Sequence, residues 1–322
     1  MKSQTTPNRI LMTPVTIEQV QTFLQTHLPT PPQALGLIGA GAWSRCFGYR
    51  AGDAEYAIRV GAHVEDFHKD ARAAAYASPV LPIPRVFEIG EALGGYYAIS
   101  QRAYGVPLEQ VEADVWCAVV PSLVAALEAM RTADITATPG FGGWDAHGQA
   151  SSPSWSHHLL AVADDTPALR IHGWRRKLEA GSPAGSAAFA WGYAQLQRVV
   201  SDAIPRGLLH CDLMNRNVLV DQGRIAAVFD WGCARYGDHL YDLAWFEFWA
   251  PWHPNLDVPR LRTALETRWQ ATGYRPDNLA ARLAACYLHI GLDHLAYNAH
   301  LGDWATLAAT AARMKTLVEA TQ

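Results

Sequence analysis

The segment His210-Cys211-Asp212-Leu213-Met214-Asn215-Arg216-Asn217 reads as H-x-D-x-x-x-x-N, and Asp230-Trp231-Gly232 follows it as D-x-G. Phosphoryl transfer needs these residue types in this order. One carboxylate sits beside an acceptor hydroxyl, an amide oxygen reaches a magnesium ion, and a second carboxylate bridges that ion to a triphosphate. Asp212, Asn217 and Asp230 fit the three roles in turn. A lone Asp–Asn loop, or one Asp at a strand end, would signify little. The two motifs at hairpin spacing carry the assignment.

The neighbouring elements must supply that spacing. Gly207-Leu208-Leu209 leads into the loop, and Val218-Leu219-Val220 leaves it as a β-branched run. Asp221-Gln222-Gly223 reads as a turn, and Ile225 to Phe229 as a second strand ending at Asp230. Strand, turn and strand put Asn217 and Asp230 at neighbouring strand ends, within reach of one cation.

Upstream, Gly39-Ala40-Gly41-Ala42-Trp43-Ser44 lies between two strand-like pieces. Gly39 and Gly41 would let backbone N–H groups approach phosphate oxygens, and Ser44 adds a hydroxyl donor. Tyr56-Ala57-Ile58-Arg59-Val60 matches the kinase strand that carries a phosphate-binding lysine, with Arg59 in its place. Arginine stays charged and can grip two oxygens with its planar fork. An acidic residue on the next helix would anchor it. Asp70 is the first choice, and Asp66 and Glu65 are alternatives. Ile99 to Ala103 reads as a hinge in which Gln101 and Ala103 offer backbone groups to a purine edge.

The chain has 322 residues, 50% apolar and 17% charged, which predicts a sizeable core, two lobes and little disorder. A net charge of −4 argues against a nucleic-acid partner and suits a neutral or cationic small molecule. Five scattered cysteines show neither disulfide nor metal spacing, as expected of thiols in the cytoplasm. Met1 to Thr16 has no apolar core of a secretory signal. Val115 to Met130, the most apolar run, contains Pro121 and Glu128 and is short for a membrane span. No membrane partner is expected, and a monomer or weak dimer is.

The expected fold class is α+β and bilobal. Residues 1–104 form an N-terminal nucleotide-binding lobe with a helix from Ile10 to Leu28 capped by Thr16. Strands between Leu35 and Val60, a helix at Phe67–Tyr76 and a hairpin at Val86–Ser100 complete it. Residues 105–322 form a larger, mainly helical lobe for catalysis and acceptor binding. Within it Pro139–Pro153 reads as a loop and Pro167–Gly185 as irregular chain.

These residues together resemble the aminoglycoside phosphotransferase family, a branch of the protein-kinase-like fold. The likeness runs from about residue 35 to the C-terminus. It is carried by Tyr56-Ala57-Ile58-Arg59-Val60, Leu81-Pro82-Ile83-Pro84, Ile89-Gly90-Glu91, Arg102-Ala103, Asn217-Val218-Leu219, Gly223-Arg224-Ile225, Asp230-Trp231, Gly237-Asp238, Phe248-Trp249 and Ile290-Gly291-Leu292-Asp293. It is weakest from about 140 to 200. The resemblance implies ATP (with GTP as an alternative), Mg²⁺, and transfer of the γ-phosphoryl group to a hydroxyl of an aminoglycoside-type, hygromycin-like antibiotic. It implies Asp212 as base, Asn217 and Asp230 as metal ligands and Arg59 as phosphate contact. Kinases of macrolides, choline or other small alcohols share the fold and remain alternatives, as does a nucleotide-binding pseudokinase.

A polycationic polyol calls for carboxylates and aromatic faces. Asp238, Asp242, Glu247 and Asp293, with Trp245, Trp249, Trp252 and His294, are the candidates. On a helix beginning at Asp238, Asp238 and Asp242 would share a face, and Trp245 and Trp249 would pair at i,i+4. Against this, Asp242 could brace the catalytic loop, and the tryptophans could be core.

Overall fold

The computed structural model describes residues 15–41 and 43–321. The expectations for the first fourteen residues and for Ala42 lie outside the described residues. Thr16 opens helix α1 (Ile17–His27) with a capping box: its hydroxyl accepts from the Gln19 N–H at 3.3 Å, and the Gln19 side chain accepts from the Thr16 N–H at 2.8 Å. Buried Val20 and Leu24 on α1 pack on Phe47, Tyr49, Ile58 and Val60.

Those four belong to one face of a five-stranded antiparallel sheet ordered β1-β2-β3-β5-β4. Its first strands are β1 (Gln33–Ala40), β2 (Ser44–Ala51) and β3 (Ala54–Gly61). Helix α2 (Val64–Ala73) intervenes before β4 (Val86–Ala92) and β5 (Gly95–Gln101). Side chains alternate along a strand. Cys46 and Gly48 on β2, paired with Arg59 and Ala57 on β3, therefore occupy the opposite face.

The chain then crosses through β6 (Val106–Pro107) to α3 (Ala113–Arg131). By length and composition α3 could cross a membrane. Here its buried face, including Trp116, Val119 and Leu123, joins the large core. Its Glu128 binds Arg131 and accepts from the Trp269 indole at 2.9 Å.

Short strands β7 (Phe141–Trp144) and β8 (Ala150–Ser152) precede helices α4 (Trp155–Leu160), α5 (Trp174–Gly181) and α6 (Pro183–Val199). Next come β9 (Arg206–Leu209), the hairpin β10 (Val218–Asp221) and β11 (Arg224–Val228), and β12 (Arg235–Asp238). Helices α7 (Leu240–Trp249), α8 (Val258–Ala271), α9 (Leu279–Leu301) and α10 (Trp304–Glu319) complete the lobe. The hairpin pairs with β6 in a sheet ordered β11-β10-β6, and the other short strands form β8-β7-β12-β9.

The α+β bilobal class read from the sequence is the one observed. Three local readings change. Pro139–Pro153 holds a strand pair, because β7 finds its partner in distant β12. Pro167–Gly185 contains α5, whose start is fixed by Asp165 accepting from the N–H groups of Gly173 (2.7 Å) and Arg175 (3.2 Å). Asp238 ends a strand, and the helix begins only at Leu240.

Candidate active site

The loop after β9 is held by side chains outside it. The Asp242 carboxylate, in the first turn of α7, accepts from the His210 N–H at 3.0 Å and the Cys211 N–H at 2.7 Å. His210 is fully buried. Its Nε2 donates to the Phe229 carbonyl at 3.0 Å while its Nδ1 accepts from the Asp212 N–H at 3.2 Å. Burial lowers its pKa to about 4, so the ring is neutral and both nitrogens keep these roles. Cys211 (φ 65°), Asn215 (φ 58°) and Arg216 (φ 69°) all adopt left-handed backbone. Three such residues in one loop store strain that the surrounding bonds must hold.

Asp212 lies between two amides. The Asn215 Nδ2 donates to one carboxylate oxygen at 2.7 Å. The Asn217 Nδ2 donates to the other at 3.0 Å and to the Asp212 carbonyl at 2.8 Å. Asn217 therefore presents its free Oδ1 away from Asp212. Burial pushes the Asp212 carboxyl up to about 7; the Asn215 bond pulls it down, and the charge of Asp230 pushes it further up.

The Phe229 N–H donates to the Asn217 carbonyl at 3.0 Å, which ties the second motif to the first. Asp230 follows at φ 62°, ψ 61° with a half-exposed carboxylate. Arg59 reaches across from the small sheet, with Nη1 3.2 Å from Asp230 Oδ1 and Nη2 paired with Asp70. Burial alone would lower the Arg59 pKa, but Asp70 and Asp230 more than offset it and keep it charged. Asp70 also accepts from the Trp231 N–H at 2.7 Å, and Lys69 donates to the Gly232 carbonyl at 2.8 Å. Helix α2 thus fixes both the arginine and the turn that carries Asp230. The alternative partners Asp66 and Glu65 bind Arg170 instead, at 2.9 and 2.7 Å.

At the hairpin tip between β1 and β2, the Gly41 N–H donates to the Ser44 carbonyl at 2.9 Å; Gly39 pairs with Cys46. At the hinge the Gln101 N–H is spent on the Arg85 carbonyl at 2.8 Å, which removes it as a donor to a base. Among the described residues no backbone acceptor engages the Ala103 N–H. A cavity of about 510 Å³ lies beside this segment, lined by Pro82, Ile83, Gln101, Arg102, Ala103 and Tyr104 among others. It shares no wall residue with the catalytic loop.

On the acceptor side the expected residues divide. Asp238 and Asp242 are 1% and 2% exposed, which corrects their assignment to an acceptor surface. Asp238 accepts from Arg282 at 2.7 and 2.6 Å, and Asp242 braces the loop. Glu247 accepts from Arg262 at 2.8 Å and from Tyr287. Trp245 is buried, whereas Trp252 is 39% exposed. Trp249 lies between them, its ring centroid 5.2 Å from Trp252 and 4.6 Å from His294. Among the described residues nothing accepts from the buried indole N–H groups of Trp245 and Trp249. Asp293 is half-exposed, with Arg235 as its nearest cation at 4.0 Å.

Sequence reasoning missed Tyr297. Its hydroxyl pKa is raised, first by burial and then by the charges of Cys233 and Asp212. Its position four residues after Asp293 on α9 was the available signal. It also missed Arg235, a partly buried guanidinium that donates to the Tyr241 hydroxyl at 2.9 Å.

A family model described as "Phosphotransferase enzyme family" matches residues 49–282. The chain belongs to the phosphotransferase enzyme family. Hygromycin-B 4-O-kinase of Escherichia coli is 33% identical over 261 residues, which cover 80% of this phosphotransferase and 72% of that protein. The crystal structure of a thermostable mutant of aminoglycoside phosphotransferase APH(4)-Ia, in ternary complex with AMP-PNP and hygromycin B, superposes with a TM-score of 0.81 at 30% identity. The match covers 94% of this chain and 98% of that one. Spectinomycin phosphotransferase APH(9)-Ia, at 12% identity and a TM-score of 0.61 over 96% of this chain and 98% of its own, shares the fold alone. The family read from the sequence motifs is thus the family found, and this phosphotransferase is an enzyme of the small-molecule kinase type.

Proposed function

We propose that this phosphotransferase uses ATP to phosphorylate a hydroxyl of a hygromycin-like aminoglycoside. The observation that carries the reading is the clustering of Asp212, Asn217, Asp230 and Arg59 from two lobes around one cleft. The hygromycin kinase likeness supports the acceptor class.

In this reading Asp212 orients the acceptor hydroxyl and takes its proton. The Asn215 and Asn217 amides hold the carboxylate in one rotamer, so the positioning is set before substrate arrives. Asn217 Oδ1 and Asp230 suit magnesium. The amide nitrogen is already used, the Asp230 carboxylate is half-exposed, and the donor set is all oxygen. Bound Mg²⁺ would neutralise phosphate charge there. Arg59, anchored by Asp70, contacts the phosphates. Gly39, Gly41 and Ser44 cover them, and Ala103 meets the base.

Asp293, with Trp249 and Trp252, faces a cationic polyol. We assign nucleotide binding to residues 1–104 and catalysis with acceptor binding to residues 105–322. ATP use and five free thiols are in keeping with a cytoplasmic location.

Coupled ADP release with hygromycin B, spectinomycin, a macrolide and choline tests the reading. Magnesium-dependent release with hygromycin B is expected. Nucleotide binding with no release for any acceptor would contradict it.

A further inference from the structure

The cleft face of the small sheet carries a second guanidinium besides Arg59. Arg102 follows β5, and its side chain folds back beneath β2. Its Cζ lies 3.1 Å, and its Nη1 3.2 Å, from the point a Cβ on Gly48 would occupy. Ile38 Cγ2 stands 3.2 Å from the same point. Gly48 therefore leaves the space that the guanidinium fills. The Tyr104 ring supports it from the side, its centroid 4.9 Å from Arg102 Cζ.

Gly48 lies across from Ala57, two residues along the strand from the Cys46–Arg59 pair. Arg102 and Arg59 are thus on one face, at opposite ends. The Cys46 thiol between them feels both: burial pushes it up to about 11, and Arg59 and Arg102 each pull against that rise. Arg59 marks the phosphate end. Arg102 marks the hinge end, one residue from the free Ala103 N–H. Among the described residues no carboxylate or carbonyl accepts a hydrogen bond from the Arg102 side chain, although it is half-buried. A half-buried guanidinium with one ring beside it and no hydrogen-bond acceptor keeps a face and donors for a ligand.

We propose that Arg102 is the upper wall of the nucleobase site and stacks its planar guanidinium on the purine ring. The inference rests on the nucleotide-dependent reading above and deepens it. Stacking uses the ring face, which adenine and guanine share, and is indifferent to their edges. Discrimination between ATP and GTP then falls to the hinge backbone, and the roof itself accepts both.

Calorimetric titration of Mg·ATP and Mg·GTP into wild type, Arg102→Ala and Arg102→Lys tests this. Arg102→Ala weakens both nucleotides by a similar factor, roughly 3- to 30-fold. The KM for ATP rises in step with the loss of affinity. Arg102→Lys restores binding only in part, because an ammonium keeps the cation–π attraction but loses the planar stacking. A thermal melt of each variant shows that the fold is intact.

Tighter binding in Arg102→Ala would mean that the side chain blocks the site. Loss of only one nucleotide would mean that it reads an edge. Either result, or unchanged affinity, overturns the proposal. Wild type that binds both nucleotides but releases no ADP would sink the functional reading while leaving this one standing. Wild type that binds neither would sink both.

Discussion

The side-chain nitrogen of Asn217 donates to both the carboxylate and the carbonyl of Asp212, at 3.0 and 2.8 Å. One amide thereby holds the proposed base and turns its own oxygen toward the proposed cation site. Asn217→Asp replaces the donor by a second carboxylate. Like charges in contact raise the Asp212 pKa by about one unit or more. The expected outcome is a fall in kcat of at least about tenfold at pH 7, with the pH–rate profile moved to higher pH. A profile unmoved from wild type would separate the two residues.

Asp212 also sets a pH dependence of its own. Its carboxyl is pushed up to about 7, chiefly by burial. The carboxylate is the active form, so kcat/KM for the acceptor rises with pH through about 7 and then levels. Stability runs the other way. The folded pKa lies above the unfolded value of about 3.9. Its stabilising contribution is therefore full below that value and lost as pH rises through about 7. Relative to wild type, Asp212→Asn should melt at a higher temperature at pH 8 and at a similar one near pH 4, as scanning calorimetry would show.

Asp242 is a brace. Asn at this position keeps one acceptor and turns an NH₂ group toward the second backbone N–H. One buried donor is left unmade, at a cost of about 1–3 kcal/mol. Asp242→Asn should lower the melting temperature and kcat together while leaving the acceptor KM within about threefold. A selective rise in acceptor KM would return Asp242 to the acceptor surface.

Trp252 and Asp293 have the opposite profile. Both are accessible, and neither supports the catalytic loop. Trp252→Ala and Asp293→Asn should raise the KM for hygromycin B by roughly 3- to 30-fold, as loss of a stacking face or a charge-assisted bond would. The KM for ATP and the melting temperature should change little. Equal effects on both substrates would point to a general disturbance of the cleft.

The parts legible in sequence were those in which residue type and chemistry coincide. The meeting of Asp212 and Asn217, and the hairpin that brings Asp230 back toward them, could be read because the turn residues between the two strands are strong. Arg59 and Asp70 could be read because β3 and α2 are adjacent in the chain. Asp238 and Asp242 misled because a carboxylate looks the same whether it meets a substrate or Arg282; burial decides, and burial is a property of the packed lobe. Strand β7 was hidden because its four residues are stabilised by β12, far along the chain. Helix α5 was hidden because its start rests on Asp165. Tyr297 was obscured by a long apolar helix in which an aromatic residue reads as core.

Asp212 is the residue on which the proposed transfer depends. Steady-state ADP release with saturating Mg·ATP and hygromycin B, compared between wild type and Asp212→Asn, tests it most directly, with nucleotide affinity measured on the same samples. The prediction is a loss of roughly 10²–10⁴-fold in kcat with Mg·ATP affinity within a few-fold of wild type. Turnover near wild type in Asp212→Asn would contradict it.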